Sequence, residues 1–186
     1  LYAISALAFL IGLHLPDSNT CSPTRPFVSV IIAARNEANY IGECLKRLTD
    51  QTYPTALYEI LVVDDNSNDA TADIVKQYAH EHPGVTSLVV GGGFPEMSAK
   101  KRPLSVGIQQ AKGEIILTTD ADCRVPRQWV EGMAKNFQPD VGTVIGFSQI
   151  KLSGSTLGLF EKFQGLDFLT LMSASAGSAK LGIPLA

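Results

Sequence analysis

Two aspartates separated by one alanine, Asp120 and Asp122, follow directly on the strand-prone run "EIILTT". A second acidic pair, Asp64 and Asp65, follows "ILVV". Along an extended backbone residues i and i+2 point the same way, so Asp120 and Asp122 can face one point, with Ala121 too small to block it. Two carboxylates a few ångströms apart repel by about 1 kcal/mol in water and about 4 kcal/mol at an effective dielectric of 20. Hard divalent cations offset such repulsion, and commonly use one or two carboxylates together with substrate phosphates. The pattern therefore points to Mg2+ or Mn2+ on Asp120 and Asp122, holding a diphosphate. Two acids in a turn are common, however, and a bare D-x-D is more often simply solvated. Asp64 and Asp65 equally suit turn formation and helix capping, although Asn66 to Asp69 already offer those roles. Position favours chemistry: both pairs end buried strands, where a carboxylate can also accept from a base N–H or a ribose hydroxyl.

Other polar features are weaker. "KKR" at 100–102 is the one basic run. Charge runs are usually solvated faces, but this one leads through a helix into the acidic strand, and cations beside a diphosphate help stabilise a leaving group. Gly91 to Gly93 fit neither GxGxxG nor GxxxxGK[ST] and read as a loop.

The elements that must position these residues alternate between strand and helix. "FVSVIIA" (27–33) is the near-continuous apolar run of a buried strand. Ile41, Cys44, Leu45 and Leu48 form one helical face, and Gln51 to Pro54 ends that helix. "YEILVVDD" (58–65) is a second strand. Ser67, Asn68 and Asp69 offer caps to a helix with Thr71, Ile74, Val75 and Tyr78 on its apolar stripe. Further strands are expected at 84–90, 113–119 and 141–147. Pro103 suits the first turn of a helix lined by Leu104, Ile108 and Ala111, and Trp129, Met133 and Phe137 share another. Such a series implies a mainly parallel sheet with helices on both faces, whose ligands bind beyond the carboxyl ends of the strands. Both acidic pairs are thereby placed on one edge.

The 186 residues suffice for one domain with a sizeable core. A net charge of −3 gives no sequence-wide basic surface for nucleic acid. The three cysteines, Cys21, Cys44 and Cys123, have no CxxC spacing, which argues against a disulfide framework or a zinc site. Residues 1–15 open with the apolar run "LYAISALAFLIGL", too short to span a bilayer by itself. A signal-peptide core and a buried helix are alternatives, but neither a preceding basic residue nor an A-x-A site supports the former, and a truncated membrane anchor is the expectation. Residues 16–26 read as a linker and 27–150 as the core. Residues 151–186 read as the helical start of an incomplete second half.

Three segments, "VSVIIAARNEANYIGECLKRL", "YEILVVDDNSNDAT" and "KKRPLSVGIQQAKGEIILTTDADC", resemble the family-2 glycosyltransferases in order and spacing, over about 27–150. The likeness looks nearest to bacterial membrane-anchored members related to poly-N-acetylglucosamine and cellulose synthases. It implies the GT-A fold, an α/β nucleotide-binding sheet, and transfer of a sugar with inversion from a nucleotide sugar, often a UDP-sugar, to a glycan or lipid acceptor. It also implies a catalytic domain at the cytoplasmic face of the inner membrane. By matching positions, Ala33, Arg35, Asn36 and Glu37 would line the nucleotide pocket and Asp65 would contact the uracil edge, with Asp64 beside it. Lys100 would match the family's lysine, and Asp120 and Asp122 its metal-binding D-x-D, with Asp120 also at the nucleotide. The chain departs from the family at Ala33, often proline, and Ser105, often asparagine. Nothing after residue 150 matches the family's catalytic aspartate or its Q-x-x-R-W segment. The base is expected beyond residue 186, with neither Glu161 nor Asp167 assigned, so the chain reads as the donor half of a longer enzyme, inactive alone. The competing readings are a sugar-nucleotide nucleotidyltransferase, which "AARNEAN" disfavours for want of a glycine- and lysine-rich loop, and a non-catalytic nucleotide-binding fragment.

Overall fold

The computed structural model describes residues 11, 25–90, 101–139, 141–146 and 159–181. The chain divides into two compact units, one of residues 21–144 and one of residues 1–20 with 145–186.

The first unit is built on four parallel strands: β1 (Val28–Ala34), β2 (Tyr58–Asp64), β3 (Val85–Val89) and β4 (Ile115–Asp120). Their order is β3-β2-β1-β4. Helix α1 (Ile41–Thr49) and a single 3-10 turn (Thr55–Leu57) connect β1 to β2, and α2 (Thr71–Glu81) connects β2 to β3. Helix α3 (Lys101–Gln110) precedes β4, and α4 (Trp129–Ala134) follows it. The chain thus winds outward from β1 to β3 and then returns to lay β4 on β1's other side. Crevices for ligands form at such a reversal, beyond the strands' carboxyl ends.

The period-2 alternation of β1 divides the core between two faces. Val28, Val30, Ile32 and Ala34 pack with Ile41, Leu45 and Leu48 of α1, Val75 of α2 and Val130 of α4. Ile31 faces the other way and joins Leu61, Val63, Leu104 and Val106 under α3. Every residue of β2 is buried, as its place inside the sheet demands. Gly107 lets α3 lie close, since a Cβ there would stand 2.5 Å from Cγ2 of Ile31. Of the expected stripe, Leu104 and Ala111 do pack on this core, but the fully buried positions of the helix are Pro103 and Gly107, and Ile108 is 49 % exposed.

Three further expectations are corrected. Residues 141–146 are irregular, not a fifth strand. Helix α4 stops at Ala134, so Phe137 lies beyond it, although it still packs on the core. The fourth strand starts two residues later and ends one residue later than expected, and takes in Asp120 itself.

The second unit contains α5 (Leu159–Lys180), on which Phe163, Leu166, Leu169 and Leu171 are exposed. Among the described residues no helix is long and apolar enough to cross a membrane. Of the apolar run at 1–13, all but Ile11 lies outside the described residues.

Candidate functional site

In the parallel register Ala33 sits between Val63 on β2 and Asp120 on β4, and Ala34 is level with Asp64. The end of β1, with its two small residues, thus lies between two acidic strand ends, the Ala34 methyl packing into the core beneath. Above them opens a cleft of about 280 Å³ lined by Ala33, Ala34, Arg35, Glu37, Asp65, Pro103, Asp120, Ala121 and Asp122. Strands in a sheet lie roughly 5 Å apart, so the β2 and β4 ends stand about 10 Å apart across β1.

Asp120 is the last residue of β4 and Asp122 lies in the turn after it. The Cys123 N–H donates to the Asp120 carbonyl at 3.1 Å and closes that turn. The turn, rather than strand alternation, therefore brings both carboxylates to the cleft. Asp120 and Asp122 are exposed, while Ala121 between them is buried. Among the described residues no group of three or more His, Cys, Asp or Glu could hold a metal by itself. Two exposed carboxylates fit Mg2+ or Mn2+, which keep several waters and complete their shell with substrate phosphates. They do not fit a structural zinc, which requires four protein ligands.

Beneath the turn, the Cys44 Sγ–H donates to the Asp120 carbonyl at 3.7 Å. Burial, with lesser contributions from Cys123, Asp122 and Asp120, pushes the Cys44 thiol up to about 12. It stays neutral and serves as packing under the acidic turn.

At the β2 end the two aspartates part. Asp64 is buried, with one carboxylate oxygen accepting from the Ser67 hydroxyl and the other from the Ser67 N–H at 3.2 Å. It does not line the cleft, and its carboxylate is committed to the turn. Asp65 is also buried but opens on the cleft. Its backbone N–H donates to Ala34. Its Oδ1 takes Arg102 Nη2 at 2.6 Å, and its Oδ2 lies 3.8 Å from Arg35 Nη1.

The turns after β1 and β2 are stitched together. Asn36 and Asn66 each adopt φ near 56°, the left-handed region that asparagine tolerates better than most residues. The Asn36 N–H donates to Ser67 Oγ, and Asn36 Oδ1 accepts from the Asn68 N–H. Glu37 and Ala38 N–H donate to Thr71 Oγ1 and Asp69 Oδ2. The Thr71 hydroxyl and N–H both bind Asp69, and hydrogen bonding from Thr71 holds that carboxyl below its ordinary value. Asn36 is thus a clasp, outside the cleft lining, whereas Ala33, Arg35 and Glu37 line it.

Of the residues singled out from sequence, Ala33, Arg35, Glu37, Asp65, Asp120 and Asp122 come together, and Asn36 and Asp64 support the turns behind them. Lys100 lies outside the described residues. Arg102 was read only as part of the basic run at 100–102 and Pro103 only as a first-turn residue: a basic run shows charge, and the phase of α3 decides which member reaches Asp65.

A sheet reversal, a cleft at the strand ends and paired acids there define an α/β domain with a ligand cleft at its carboxyl edge. The profile of Glycosyl transferase family 2 matches residues 29–158. The chain belongs to that family, which sets aside the nucleotidyltransferase reading. It is 40 % identical over 108 residues to Glycosyltransferase AglE of Haloferax volcanii, covering 58 % of this chain and 34 % of that protein. It is 32 % identical over 144 residues to Beta-monoglucosyldiacylglycerol synthase of Synechocystis sp., covering 76 % of this chain and 29 % of that protein. Among solved structures, Mannosyltransferase PcManGT from Pyrobaculum calidifontis, in complex with GDP-Man and Mn2+, superposes with a TM-score of 0.62 at 32 % identity, covering 76 % of this chain and 43 % of that one. The chain therefore spans less than half the length of each of these relatives.

Proposed function

We propose that this chain carries the donor site of an inverting glycosyltransferase, which passes a sugar from a nucleotide sugar to a glycan or lipid acceptor. One observation carries the reading: Asp65 and the Asp120/Asp122 turn stand at opposite ends of a single cleft, about two strand spacings apart. A base at the β2 end and a diphosphate at the β4 end would fill it. A divalent ion on Asp120 and Asp122 would neutralise charge on the departing diphosphate. The protein's own part is to fix those acids on a rigid sheet, orient the donor and read its base.

The donor is taken to be a UDP-sugar, on the match of Asp65 to the family's uracil contact. The Mn2+ named with the mannosyltransferase supports the metal, and its GDP-mannose makes GDP the nucleotide to test against UDP. The diacylglycerol-glucosylating relative supports a lipid acceptor. A glycan acceptor rests on the sequence resemblance to poly-N-acetylglucosamine and cellulose synthases alone, since the relatives reported above are of other kinds. The apolar run at 1–13 supports attachment to the cytoplasmic membrane, with the cleft facing the cytoplasm. The general base is not assigned to a residue.

Calorimetric titration with UDP and GDP, with and without Mn2+, tests the site. Micromolar to millimolar binding that needs the metal is expected. Metal-independent binding, or none with either nucleotide, overturns the reading.

A further inference from the structure

Between the acidic turn and α4 the backbone is irregular: residues 123–126 belong to no helix or strand. Strand β4 fixes the turn from one side only. From the other side it is fixed by the loop that ends α1. Gln51 is buried there, and its side-chain amide makes three hydrogen bonds. Nε2 donates to the Arg47 carbonyl at 2.9 Å and to the Pro126 carbonyl at 2.9 Å, and Oε1 accepts from the Val130 N–H at 3.0 Å. Arg47 lies in the last turn of α1 and Val130 is the second residue of α4. Their carbonyl and N–H are among the groups a helix leaves without internal partners. An amide, with two donors and an acceptor, meets all three backbone groups, whereas a carboxylate would set lone pairs against two carbonyls. The residues on either side of Gln51 repeat the join. Thr52 donates to the Arg127 carbonyl through its N–H at 2.8 Å and its hydroxyl at 3.2 Å, and Arg127 Nη2 donates to Asp50 Oδ1 at 3.0 Å. Helix α1 thus grips the acidic turn at both ends, through Cys44 at Asp120 and through Gln51 at Pro126.

We propose that Gln51 is a positioning residue for the acidic turn: by joining α1, Pro126 and α4 it sets where Asp122 stands relative to Asp120, an inference resting on the donor-site reading above. It acts through backbone and touches neither metal nor nucleotide. The effect on the metal is selective. Mg2+ demands near-ideal octahedral geometry with short bonds, while Ca2+ accepts longer bonds and looser arrangements. A firmly seated turn favours the smaller ion, and a loosened turn loses that preference first. Groups that orient metal ligands from outside the coordination sphere typically cost about 10- to 100-fold in metal affinity when removed, and one acting through backbone should cost less, about threefold or more.

The test is calorimetry of the 186-residue chain with the tighter-binding of UDP and GDP, in Mn2+, in Mg2+, in Ca2+ and without metal. The wild type should bind at least about tenfold more tightly with the better of Mn2+ and Mg2+ than with Ca2+. Gln51→Met, similar in length but unable to make these bonds, should narrow that ratio by about threefold or more, with metal-free affinity little changed. Val85→Ala truncates a buried side chain on β3, at the opposite edge of the sheet from β4. It should lower stability and leave the ratio as it is. Should Gln51→Met fail to fold, amide hydrogen exchange of the wild type decides: metal and nucleotide together should slow exchange at the Val130 N–H as well as at the Cys123 N–H, because coupling between two sites is reciprocal. A wild type that binds as tightly with Ca2+, an unchanged ratio in folded Gln51→Met, an equal narrowing in Val85→Ala, or protection confined to Cys123 overturns the role of Gln51 and leaves the donor site standing. A wild type with no metal-dependent nucleotide binding removes both.

Discussion

The Cys44 thiol sits under the carbonyl of Asp120, 3.7 Å from its oxygen, and thereby ties α1 to the turn that presents the acidic pair. Because burial raises this thiol from 9.0 to about 12, the unfolded chain releases a proton in that interval that the folded chain keeps. Stability contributed by the neutral thiol is present below pH 9 and is lost as pH climbs toward 12, by about 1.4 kcal/mol per pH unit at most. Urea unfolding at pH 8 and pH 10.5 should show a steeper alkaline loss for the wild type than for Cys44→Ala. Equal slopes would mean that the thiol is not sheltered.

Replacing Asp120 and Asp122 together by asparagine should remove Mn2+-dependent nucleotide binding, with a loss of at least tenfold in affinity. Both side chains are exposed, so the folded state should change by no more than about 0.5 kcal/mol. Mn2+ titrations monitored by paramagnetic broadening, beside a thermal melt, separate the two effects. Metal-dependent binding surviving in the double variant would refute the assignment.

Asp65→Asn keeps the shape but removes an acceptor and leaves two arginines facing an amide. UDP should weaken by about 1–3 kcal/mol, roughly 5- to 150-fold, while pyrophosphate weakens far less. If both ligands lose equally, Asp65 acts on the fold or the metal.

Asn36 and Asn66 share a left-handed backbone but not a role. Asn36→Ala strains that backbone and strips the Asn68 N–H of its acceptor, costing about 1–2 kcal/mol. Asn66→Gly should be neutral or slightly stabilising, since glycine suits the same φ at no steric cost. Chemical denaturation of the two variants side by side checks the contrast.

Gly107→Ala forces a methyl against Ile31, so about 1–3 kcal/mol should be lost. Ile31→Ala in the same chain should recover part of it, a coupling that a double-mutant cycle measures.

The strands and first two helices were legible because burial stamps a period on them: β2 carries the unbroken apolar run Ile60, Leu61, Val62 and Val63, and α1 repeats at i, i+3, i+4, i+7. The end of α4 was not, since Phe137 keeps an apolar contact after the helix has stopped. On α3 Leu104 and Ala111 were read correctly and Ile108 was not, because Gly107, which carries no hydrophobic signal, takes the closest place on the sheet. Within the site, the acids could be found from their position after strands. Their division of labour could not. "DD" does not say that Asp64 closes on Ser67 while Asp65 turns to the cleft, nor that Arg102 is the cation that reaches it.

The two alanines between the acidic strand ends turn the sheet into a gauge. On the proposed reading the donor is a bivalent ligand, its ribose the linker between a base and a diphosphate. A nucleoside or a pyrophosphate has one hand each, and joining them makes the second contact intramolecular, at an effective concentration that free partners never reach. That gain vanishes if the linker cannot span the gap. On that reading strand spacing, fixed by backbone hydrogen bonding and indifferent to side chains, sets the length a donor must span.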